Sequence, residues 1–173
     1  MSHLSGAEKG GAESERTRWI TRTASIAAVY AAITLLLAPL SYGPLQVRVA
    51  EALTVLPFIA GPAVPGLWLG AVIANLIGGF GWPDVVFGGL ATLLAALLTH
   101  WLGRAGRPAY LAPLPPIIIN ALVVPAYLQA FFNLPYGLIA LQILAGQVAA
   151  CYGLGYPLLA WLLRRPELRD RLR

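Results

Sequence analysis

Charge is scarce in this chain. Only 11% of its 173 residues are charged, against about 25% in a soluble domain. With 58% hydrophobic residues and a mean hydropathy of +0.72, the chain needs lipid to cover it. Its single cysteine, Cys151, lies inside an apolar run, which excludes an internal disulfide and a four-cysteine metal site. Of its two histidines, His3 lies in the tail and His100 near the inner membrane edge, so no paired-histidine metal site is expected. There is no G-x-S-x-G, no H-E-x-x-H and no P-loop with its lysine. The chain therefore reads as neither an enzyme nor a self-powered ATPase, and no cofactor is implied. Strand alternation is missing too, which argues against a membrane barrel. No internal repeat is detectable, which counts against the inverted-repeat secondary carriers.

What is present is a strict placement of positive charge. Lys9, Arg16, Arg18 and Arg22 precede the first long apolar run. Arg104 and Arg107 share one mid-chain loop, and Arg164, Arg165, Arg169, Arg171 and Arg173 close the chain. Only Arg48 falls elsewhere. Lys and Arg resist translocation, so this is how a multi-pass membrane protein places its cytoplasmic segments. The net charge of +5 and pI near 9.8 invite a nucleic-acid reading. Confinement of the charge to tails and one loop rejects it.

A helix needs about 20 residues to cross about 30 Å of hydrocarbon. Apolar runs, with their glycine and proline breaks, predict an all-α integral membrane protein of six transmembrane helices: 19–40, 47–60, 64–77, 83–102, 115–132 and 136–163. The second and third are short. Six spans with both termini cytoplasmic put eleven of the twelve basic residues inside. Residues 1–18, rich in Gly, Ser, Glu and Ala, read as a disordered cytoplasmic tail. Residues 19–163 form the membrane domain and 164–173 a basic cytoplasmic tail. The run Ala24–Leu40 exceeds a signal core of about 7–15 residues, so it is expected to be a retained first helix.

Polar groups at membrane depth mark a site or a contact between helices. Candidates are Gln46, Arg48, Glu51, Asn75, Asp84, Asn120, Gln129, Asn133, Gln142 and Gln147. Arg48 and Glu51 are three apart on one helix face, as an intrahelical ion pair or as a ligand acceptor and its orienting partner. Asp84 follows Trp82-Pro83 and reads as a helix cap or a ligand contact. Asn75 and Asn120 sit mid-span, bridging helices or meeting a ligand. Tyr42, Trp82, Tyr127, Phe131, Phe132 and Tyr136 suit an interfacial belt, with one or two free to stack on a flat ligand. Ala24, Ala27, Ala28, Ala31 and Ala32 give small-xxx-small spacing, for packing in the bundle or for docking another membrane subunit.

Three stretches carry a family resemblance: SYGPLQVRVAEALTVLPF (41–58), PGLWLGAVIANLIGGFGWPDVVFGGLATLLAALLT (65–99) and LAPLPPIIINALVVP (111–125). Their R-x-x-E-A-L and A-N-L-x-G-G-x-G-x-x-D-x-x-F-G elements resemble the QueT-type S components of energy-coupling factor (ECF) transporters, linked to queuosine precursors. The resemblance implies a six-helix substrate-binding subunit of the cell membrane. That subunit captures its ligand at the outer face and works with a transmembrane coupling subunit and two ATPase subunits. For a flat 7-deazaguanine ligand, Glu51, Asp84, Asn75, Asn120 and Gln147 are expected to supply the acceptors and donors, Arg48 to position Glu51, and Trp82 to join the substrate site. The resemblance also implies coupling-subunit docking through Ala24, Ala27, Ala28, Ala31 and Ala32. One departure stands out: the family's Gly-Glu pair in the last helix is Gly146-Gln147 here. An S component for another vitamin or purine-like nutrient, a stand-alone secondary carrier and a ligand-free membrane scaffold are the other readings.

Overall fold

The computed structural model describes residues 3–41, 48–78 and 81–172. Tyr42, Gln46, most of the turn expected at 41–44 and Gly79 lie outside the described residues. Among the described residues the chain is helical, with no strand.

Helix α1 runs from His3 to Leu36 and takes in the polar segment 3–18, which composition alone reads as a tail. Thr17 and Thr21 hydroxyls donate to the carbonyls of Glu13 and Thr17, each at 2.9 Å. A short α2, Ala38–Ser41, follows. The second apolar run is a 3-10 helix, Val49–Phe58, with Pro57 inside it. Runs of 3-10 helix beyond three or four residues are uncommon. This one survives because it is packed on by α1, α3, α4, the Ala149–Gly155 segment and α7 rather than facing lipid.

Helix α3 is Ala63–Gly78. A π turn, Asp84–Gly88, leads into α4, Gly89–Arg104. Helix α5 is Leu114–Phe132 and ends on Asn133, whose left-handed backbone (φ 53°) lets its N–H bond Gln129 O at 3.0 Å. Helix α6, Tyr136–Val148, continues through a π segment, Ala149–Gly155, into α7, Tyr156–Leu163. Helix α8, Pro166–Leu172, packs Leu168 and Leu172 back onto the core.

Among the described residues, four helical stretches are long and apolar enough to cross a membrane: Glu13–Leu36, Asp84–Arg104, Ala109–Phe132 and Tyr136–Leu163. The two short expected spans fall below that length. Ten residues of 3-10 helix reach about 20 Å and sixteen of α-helix about 24 Å. The exterior is apolar, with Leu36, Leu76 and Leu141 widely exposed, while Glu51, Asn75, Asp84, Asn120 and Gln147 are buried. Lipid-facing apolar side chains around a polar interior describe a membrane protein.

Helices α1 and α3 pack closely. A Cβ on Gly66 would stand 2.9 Å from Thr23 O, and one on Gly70 2.8 Å from Ala27 O. Gly66 and Gly70 are four apart, so their shared face lets the two backbones approach closely. This divides the alanine stripe of α1. Ala27, against Gly70 of α3, and Ala31 are buried, whereas Ala24, Ala28 and Ala32 are exposed on one face at i, i+4 and i+8.

Candidate functional site

The 3-10 helix carries Glu51 into the middle of the bundle, where it is 2% exposed. A carboxylate there is tolerated only with hydrogen-bond donors. Tyr30 of α1 donates its hydroxyl to Oε1 at 2.6 Å, and Asn120 Nδ2 of α5 donates to Oε2 at 3.3 Å. Gln147 of α6 also bonds the carboxylate, and the Arg48 charge acts on it. Below it, Thr54 Oγ1 donates to Glu51 O at 2.6 Å. The Cys151 thiol reaches Gln147 Oε1 at 3.3 Å and Glu51 O at 3.5 Å.

Arg48, Glu51, Asn120 and Gln147 line one cavity with Gly88, Thr92, Val124 and Ile143. Four elements distant in sequence thus supply one polar lining. The free space is about 20 Å³, enough for a water molecule and far below the roughly 300–1,000 Å³ of small-molecule pockets.

A second polar group lies beside the first. Tyr127 donates to Asp84 Oδ1 at 2.6 Å, and Asn75 Nδ2 donates to Asp84 O at 2.8 Å. Gly88 is the partition between the two. It lines the cavity, and a Cβ on it would stand 3.0 Å from Asn75 Nδ2 and 3.6 Å from Tyr127 Oη. The Arg48 charge acts on Asp84 as well as on Glu51. π-helical insertions gather at functional sites, and here one bears Asp84 and Gly88 while the other bears Cys151.

Trp82 lies apart from the cavity lining and is 61% exposed. It meets Phe131 edge-on with ring centroids 5.0 Å apart, and Phe87 stacks on Tyr127 at 5.8 Å. Among the other polar candidates, Gln129 and Asn133 are exposed and Gln142 is half-buried. Sequence reasoning missed Tyr30 and Thr54. A lone tyrosine in an alanine-rich span was the available signal, since a mid-membrane hydroxyl needs a partner. Among the described residues no cluster of His, Cys, Asp or Glu could hold a metal ion.

Comparison with known proteins places these residues in a wider group. The family model described as "QueT transporter" matches residues 20–164, which include every residue of the cavity lining. The "Queuosine precursor transporter QueT" of Lactococcus lactis subsp. cremoris (strain MG1363) is 37% identical over 81 residues, 46% of this chain and 47% of that protein. The match thus spans about half the length of the curated relative. No solved structure matches.

Proposed function

This chain belongs to the QueT transporter family, and we propose that it is the substrate-binding subunit of an ECF-type importer, capturing a queuosine precursor at the outer face. The observation that carries this reading is Glu51, a buried carboxylate met by Tyr30, Asn120 and Gln147 from three different helices. A carboxylate offers about four lone-pair sites. Tyr30 and Asn120 take one on each oxygen, which leaves acceptor capacity for the N–H edge of a guanine-like ring. Asn120 and Gln147 both donate and accept, so they suit a ring edge with mixed polarity.

The cavity must widen to admit a bicyclic ring, and Arg48 lies half-buried at its margin. In this reading Asn75, Asp84 and Trp82 form the neighbouring part of the site. Six crossings, with both termini in the cytoplasm of the cell membrane, accommodate the clusters of Arg at 16–22, 104–107 and 164–173. Among the expected docking residues Ala24, Ala28 and Ala32 are on the surface of α1, and they form the stripe offered to a transmembrane coupling subunit. Two ATPase subunits supply the energy, since this chain has no P-loop.

The test is calorimetric titration of the purified chain in detergent with 7-cyano-7-deazaguanine, 7-aminomethyl-7-deazaguanine, queuine and guanine. Tight binding of a deazaguanine over guanine is expected. A folded, monodisperse sample that binds none of them removes the substrate assignment. Uptake by this chain alone in proteoliposomes, without ATPase subunits, removes the ECF mechanism.

A further inference from the structure

Between residues 23 and 163, setting aside the loop residues Arg104 and Arg107, the chain has three charged side chains: Arg48, Glu51 and Asp84. All three belong to the same site, where the Arg48 charge acts on both carboxylates. One cation faces two acidic groups, in a setting where unbalanced charge is costly. Glu51 is surrounded by neutral donors. The Asp84 group differs in kind. Asn75 spends its amide N–H on Asp84 O, so its Oδ1, in a side chain 1% exposed, is a buried acceptor with no hydrogen-bond partner.

Asn75, bonded to the Asp84 backbone, and the Asp84 carboxyl thus hold acceptors that call for a ligand made of donors. The stacked Phe87–Tyr127 pair adds ring faces beside it, and such faces attract cations. Gly88 is the thin wall between this group and the Glu51 cavity. It faces the Glu51 cavity, and Asn75 Nδ2 and Tyr127 Oη lie behind the place its Cβ would take.

We propose that the Asp84–Asn75–Tyr127 group is a separate subsite for a protonated amine, reached past Gly88, and that it selects ligands with a cationic amino substituent over neutral ones. The proposal rests on the function proposed above and deepens it. The flat ring lies at Glu51, Asn120 and Gln147, and the ammonium group enters the second compartment, where it balances the site's charge and gives Asn75 Oδ1 a donor.

The experiment compares 7-aminomethyl-7-deazaguanine with its neutral counterpart 7-hydroxymethyl-7-deazaguanine by calorimetry on the purified chain and on Asp84→Asn. The wild type should prefer the cation by at least tenfold. Asp84→Asn, which keeps an acceptor for Tyr127, should bring the two ligands within about threefold. Glu51→Gln should weaken both alike. Equal wild-type affinities, or a preference that survives in folded Asp84→Asn, overturn the subsite and leave the deazaguanine reading intact. The wild-type comparison needs no variant to fold. If neither deazaguanine binds, the functional reading fails, and the subsite is tested alone with benzylamine against benzyl alcohol. Saturable thermal stabilisation by the amine, absent with the alcohol, supports the subsite, and no difference between them overturns it.

Discussion

Tyr30 and Glu51 meet at 2.6 Å in the centre of the bundle, a fully buried phenol donating to a buried carboxylate. The bond ties α1, which also carries the exposed alanine stripe, to the 3-10 helix that carries the site. A hydrogen bond to a charged group contributes about 1.5–3 kcal/mol, and its loss leaves Glu51 short of a donor. Tyr30→Phe should therefore lower thermal stability in detergent and weaken deazaguanine binding by roughly tenfold or more. A variant that keeps wild-type melting and affinity would show that the bond carries no weight.

Glu51→Gln keeps the shape and removes the charge. Binding should be abolished or strongly reduced while the protein still inserts and purifies as a single species. Unchanged affinity in the purified variant takes Glu51 out of the site.

Gly70 lies under Ala27 of α1, where a Cβ would stand 2.8 Å from a backbone oxygen that cannot move aside cheaply. Gly70→Val should destabilise the fold by about 1–3 kcal/mol through overpacking. The check is thermal unfolding in detergent, with Gly137→Ala as control, because nothing lies within 4 Å of the Cβ position there.

Ala27 and Ala28 are neighbours with opposite surroundings, one buried and one exposed. Ala28→Trp should leave ligand binding by the isolated chain unchanged. It should abolish ATP-driven uptake after reconstitution with the coupling and ATPase subunits. Ala27→Trp should impair folding itself. Full uptake by Ala28→Trp would move the docking surface away from this face.

The Cys151 thiol donates toward Gln147 Oε1 at 3.3 Å, which turns the amide nitrogen of Gln147 toward Glu51. Cys151→Val removes that donor and should weaken binding by roughly threefold to tenfold. Cys151→Ser, which restores a donor, should recover most of it. Equal affinities for the two variants would show that the thiol does not set the amide.

The long helices were legible because lipid demands apolar runs of a set length and because the arginines mark where those runs stop. The polar site residues were legible for a related reason: Glu51, Asn120 and Gln147 are conspicuous in apolar surroundings, and the fold brings them to one cavity. Other features were hidden by the same solvent. Both faces of a membrane helix are apolar, so periodicity could not say that Ala27 points inward and Ala28 outward. The close approach at Gly66 and Gly70 has no polar signature. Nothing in VAEALTVLPF distinguishes a 3-10 helix from an α-helix, since the choice is made by neighbours pressing on it. Tyr30 passed as one more aromatic because its partner is 21 residues away.

The winding of that segment has its own consequence. At three residues per turn, side chains at every third position eclipse one another, so Glu51, Thr54 and Pro57 stand in a single vertical file. Thr54 bonds Glu51 O at 2.6 Å, and Pro57 O meets His100 Nδ1 at 2.8 Å. In an α-helix each step of three would swing about 60° out of line, and Pro57 would face some 120° away from Glu51. The file acts as a plumb line from the Glu51 carboxylate to the end of α4. Any rewinding of these ten residues would turn Glu51 against the Pro57 carbonyl that meets His100.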